Sequence, residues 1–104
     1  VAPLRKIMTI EQFSTKEFRD MYSELYANMM LDYHTTLFDK MMKNGAIANG
    51  NARELALIYD SPFFILLGEC DRHPEKEEEA KKELRNHVEF FFSVFSPQTK
   101  LEEI

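Results

Sequence analysis

A chain of 104 residues, 44% hydrophobic and 30% charged, has the make-up of one globular domain with room for a core but little to spare. Its net charge of −5 speaks against nucleic-acid binding by these residues, and no run approaches the roughly 18 apolar residues of a membrane span. A single cysteine excludes an internal disulfide framework and suits the reducing cytoplasm, where the chain is expected; three glycines, four prolines and few β-branched runs point to an all-α fold.

The first element expected is a short helix, Leu4 to about Phe13, with Pro3 at its start and Leu4, Ile7 and Met8 inward. Ser14-Thr15-Lys16-Glu17 reads as a capping box that opens a second helix. Its apolar face carries Phe18, Met21, Tyr22, Leu25, Tyr26 and Met29. The chain continues helical from Met30 to Asn44, with His34, Leu37, Phe38 and Met41 on the stripe. Whether Asn28 to Asp32 joins or separates the two helices stays open, since no proline or glycine forces a stop. Asn44-Gly45 supplies a C-terminal cap, and Asn49-Gly50 a turn.

The stretch Asn51 to Cys70 organises the rest. Asn51 can cap it with Glu54 as reciprocal partner, and Leu55, Ile58, Tyr59, Pro62, Phe63, Leu66, Leu67 and Cys70 fall at helical spacing. Leu57, Phe64 and Ile65 make it apolar on its other side too, so it needs two surfaces to pack against. Pro62 costs about 3 kcal/mol or more inside a helix. The stripe nevertheless keeps its phase across it, which favours one bent helix over two short ones.

Asp71-Arg72-His73-Pro74 turns the chain into a last helix, whose first turn holds Glu75 to Glu79 at the positive end of the dipole. Ala80, Leu84, His87, Val88, Phe91, Phe92 and Phe95 form its inward stripe, with Phe90 and Val94 apolar beside it. Ser96-Pro97 stops it, leaving residues 97–104 as an expected mobile tail after a single domain over 1–96.

Candidate chemistry is sparse. Cys70-x-x-His73 lacks two further ligands for zinc, so no metal or cofactor is expected. Glu83 and His87 stand four apart rather than at the Glu-x-x-His spacing of diiron bundles. No set of acid, base and nucleophile is visible, and the chain is not expected to be an enzyme. The residues Tyr22, Tyr26, Met29, Met30, Tyr33, His34 and Phe38 combine adaptable methionine with amphipathic tyrosine, a mixture suited to small apolar ligands. Tyr59 and Phe63, beside Pro62, can close such a pocket from the central helix; ordinary core packing uses the same residue types.

Three segments resemble the C-terminal regulatory domain of TetR-family transcriptional regulators. L-R-K-I-M-T-I-E-Q-F-S-T-K-E-F-R-D-M-Y is similar to the family's linker helix and first ligand-domain helices. L-F-D-K-M-M-K-N-G-A-I is similar to the helix closing before the penultimate one, and the stretches from Ala56 to Leu67 and from Asp71 to Phe91 to the last two. The resemblance spans most of the chain. It implies an antiparallel bundle of about five helices whose last two form a four-helix bundle with a second copy. It also implies a pocket for a small hydrophobic effector lined by the tyrosines and methionines above. The apolar surplus at Leu57, Phe64, Ile65, Phe90 and Val94, with His87 and Phe91, marks the expected dimer interface. No basic recognition helix precedes Leu4, so DNA would be reached only through an N-terminal helix-turn-helix domain these residues lack. The rival reading is a helical dimerisation or adaptor module without a ligand.

Overall fold

The structure, a computed structural model, describes residues 2–97, so nearly all of the expected tail lies outside the described residues. It is all-helical: among the described residues there is no strand, and no helix is long and apolar enough to cross a membrane. Helix α1 runs Ala2–Glu11, two residues earlier than the sequence suggests. Ser14 does not cap the next helix; its amide and hydroxyl both bond back to the Glu11 carbonyl at 2.9 and 2.8 Å. The cap is Thr15, in extended backbone, whose Oγ1 accepts from the Phe18 amide at 3.1 Å.

From there α2 (Lys16–Tyr22), a π-helical turn (Ser23–Asn28) and α3 (Met29–Lys43) run on without interruption, because Tyr22, Ser23, Asn28 and Met29 all keep right-handed helical backbone. Asn28 to Asp32 therefore joins the two expected helices, and the described residues form four continuous rods rather than five. In the π turn the Met29 amide reaches back five residues to the Glu24 carbonyl, which accommodates one extra residue per turn. The rod ends as expected. Gly45, at φ +76°, takes the left-handed position that favours glycine; its amide bonds Met42 O at 3.1 Å and that of Ala46 bonds Met41 O at 2.8 Å.

Asn51 caps α4 (Ala52–Arg72) as its position implies, its Oδ1 accepting from the Glu54 amide at 3.0 Å. Pro62 lies inside this helix without ending it, and Ser61 Oγ takes up the Leu57 carbonyl at 2.5 Å. Non-helical backbone at His73, which the following proline favours, turns the chain into a 3₁₀ turn (Pro74–Lys76) and α5 (Glu77–Val94). Helix α4 is sandwiched between α3 and α5. At their junction lie Phe38, Ile47, Leu55, Ala56 and Phe91, with Tyr59, Phe92 and Phe95 packed around them. Ala56 is fully covered, and a side chain that small lets neighbouring helices approach closely.

Candidate functional site

The expected ligand residues fall into three environments. Tyr22, Tyr26 and Met30 line a cavity of about 90 Å³ with Phe64 and Leu67, roofed by Arg5 and Thr9 of α1. His34, Phe38, Tyr59 and Phe63 instead fill a packed aromatic core. His34 stacks on Phe38 at 5.8 Å between ring centroids, and Tyr59 meets His34, Phe38 and Phe63 at 5.1, 5.4 and 5.5 Å. Met29 and Tyr33 point outward, Tyr33 being 65% exposed, and so do not join the cavity. Met29 follows the π turn and is exposed with Met21 and Leu25, whereas Tyr22 and Tyr26 are half-buried.

The expected interface residues divide as well. Leu57, Ile65 and Phe90 are exposed, Ile65 at 69% and Phe90 at 68%, and Ile58 stands beside them on α4. Val94 is half-buried one turn beyond Phe90. Phe91, 1% exposed, belongs to the protomer's own core, stacked on Phe38 at 5.4 Å and edge-on to Tyr59 at 5.1 Å. His87 also faces inward, with Nε2 2.8 Å from the Tyr59 carbonyl and its ring against Phe63. Phe64 faces α1 rather than the outer surface.

A second, larger cavity of about 300 Å³ opens on the other side of α1, with an apolar floor of Leu66, Leu67, Cys70, Ala80 and Leu84 and a charged rim of Lys6, Glu77 and Lys81. The two cavities share Arg5, Leu67 and Asp71 as a common wall. Arg5 and Asp71 form an ion pair there, with a second bond from Nε to Oδ2 at 3.3 Å, fastening α1 to the end of α4. Hydrogen bonding to Asp71 raises the Arg5 guanidinium further above its usual value. Nearby, Glu69 collects Lys76 and Arg72, each at 3.0 Å, and these bonds hold its carboxyl below the usual range. Among the described residues no group of three or more His, Cys, Asp and Glu is placed to hold a metal ion.

Asp60 is the residue that sequence reasoning missed. It is 1% exposed, and its Oδ1 stands 2.6 Å from His34 Nδ1. Oδ1 has His34 at that distance, while Oδ2 has no partner among the described residues. Burial pushes the carboxyl up from its ordinary value, and His34 only partly opposes this. A carboxyl raised in the folded state binds its proton more tightly than in the unfolded chain. Its contribution to stability is therefore present below the ordinary value of 3.8 and is lost as pH rises through the raised one. Unfolding midpoints measured from pH 4 to 7 should accordingly show Asp60→Asn gaining on the wild type as pH rises; parallel curves would contradict this placement. The overlooked signal was positional: Asp60 lies four residues after Ala56 and four before Phe64, inside the apolar face, but Asp-Ser-Pro resembles a turn.

No protein-family model matches the chain, and neither a curated protein nor a solved structure does so.

Proposed function

We propose that the chain is the effector-binding and dimerisation domain of a TetR-like transcriptional regulator. The observation that carries this reading is the pair of cavities walled by one ion pair, Arg5–Asp71, which also holds α1 in place. A small apolar effector seated against Tyr22, Tyr26, Met30 and Phe64 pushes on the same helix that the ion pair fixes. Its binding favours one position of α1 over another, and α1 transmits the difference to a helix-turn-helix domain outside these residues. The effector's cavity holds about 90 Å³, below the roughly 300–1,000 Å³ usual for small-molecule sites, and the neighbouring one across the ion pair holds about 300 Å³. In the finer architecture, α4 and α5 pair with their symmetry mates as a four-helix bundle through Leu57, Ile65, Phe90 and Val94. The domain works in the cytoplasm, without a cofactor and without catalysis.

The test is uptake of a hydrophobic fluorescent dye. Tyr26→Ala and Phe64→Ala reshape the cavity and should change dye affinity several-fold, whereas Leu55→Ala in the closed core should mainly lower stability, by about 2–5 kcal/mol. A wild-type domain that takes up no dye and no member of a broad ligand screen leaves the second reading, a ligand-free dimerisation module. That reading draws support from the dense packing of Phe38, Tyr59 and Phe63, where the sequence suggested open space.

A further inference from the structure

A buried carboxylate without donors is costly, and such groups ordinarily find a cation or give up their charge. Asp60 has done neither completely. His34 Nδ1 stands 2.6 Å from Oδ1, and Oδ2 has no donor among the described residues. The His34 side chain is one-fifth exposed while Asp60 behind it is closed off, so the imidazole is a cover over the carboxylate. The cover is walled by aromatic rings, Tyr33 and Tyr59 edge-on at 5.2 and 5.1 Å and Phe38 stacked. Neither His34 nor Asp60 lines the smaller cavity itself, but each stands one helical turn from a residue that does. Met30 lies one turn before His34, Phe64 one turn after Asp60, and both line the smaller cavity.

We propose that Asp60, with His34 as its displaceable cover, anchors a small organic ammonium ligand whose apolar part occupies the cavity at Tyr26, Met30 and Phe64. This deepens the effector reading above and rests on it. An ammonium group brings up to three donors to a carboxylate whose Oδ2 has none and whose Oδ1 has only the displaceable His34 beside it. An anionic ligand meets repulsion from Asp60, and a neutral apolar one leaves the carboxylate as it was.

Benzylammonium and benzyl alcohol, nearly equal in size, separate charge from shape. Titration calorimetry at physiological salt, which screens attraction to the acidic surface, should give the wild type about tenfold or greater preference for benzylammonium. Asp60→Asn should reduce the preference to near unity while benzyl alcohol still binds. His34→Gln, which keeps the carboxylate and removes the competing imidazole, should strengthen benzylammonium binding, with circular dichroism confirming that both variants are folded. Equal wild-type affinities, or a preference that survives Asp60→Asn, overturn the ammonium site and leave the effector pocket standing. If neither compound binds at millimolar concentration, both the pocket and the ammonium site fall.

Discussion

Phe91→Ala is expected to cost the fold about 3–5 kcal/mol, while Phe90→Ala at the adjacent position costs the protomer little. The contrast follows from where the two rings stand. Phe91 is 1% exposed and touches Phe38, Tyr59, Phe92 and Phe95 at centroid distances of 5.0–5.4 Å, so its removal leaves a void walled by rings that cannot all collapse inward. Phe90, at 68% exposure, loses no such contacts. A domain of this size has on the order of 5–15 kcal/mol in total, so Phe91→Ala should lower the denaturant midpoint steeply or unfold the protein at 37 °C. Denaturation at dilute and concentrated protein separates folding from association. Equal losses for the two variants would reverse the assignment of α5's faces.

The other large effect concerns association. Leu57 and Ile65 lie eight residues apart on one exposed face of α4, and Phe90 with Val94 one turn apart on α5. The chain is also extended, with a radius of gyration of 16.0 Å where a compact chain of this length has about 13 Å. Apolar surface thus stays uncovered that a second copy can cover, and a stable dimer of this kind buries on the order of 2,000 Å² or more. Placing Ile65→Glu and Phe90→Glu together puts unpaired charge in the proposed interface, at a cost of several kcal/mol, and should raise the dissociation constant of the proposed dimer by about a hundredfold or more. Sedimentation velocity reads the result directly. A wild type that sediments as a monomer at tens of micromolar would remove the dimer from the reading.

Local rules explain most of what was legible. Asn51 and Gly45 act at short range, so their roles follow from neighbours in sequence, and the stripe that keeps phase across Pro62 does pass through an unbroken helix. Periodicity puts Phe91 on the inward stripe and Phe90 beside it, as the burial shows. That Phe91 serves the protomer's own core rather than an interface depends on Phe38 and Tyr59 on other helices, which periodicity does not reach. The π turn at Ser23–Asn28 has no residue marker, and Met29 after it is exposed against expectation. Asp60 was illegible for a related reason: its environment is made by His34, 26 positions away on another helix, while its immediate neighbours suggest a turn.

The Arg5–Asp71 fastening also sets a mechanical ratio. Helix α1 ends at Glu11 in the turn before α2, which is the natural fulcrum, and Arg5 sits about 9 Å along it at about 1.5 Å per residue. Ala2 lies about 13.5 Å from the same fulcrum. Swung as a rigid bar, α1 converts each ångström of movement at Arg5 into about 1.5 Å at its first residue. The guanidinium is gripped partway along the bar, and the end away from the fulcrum travels furthest.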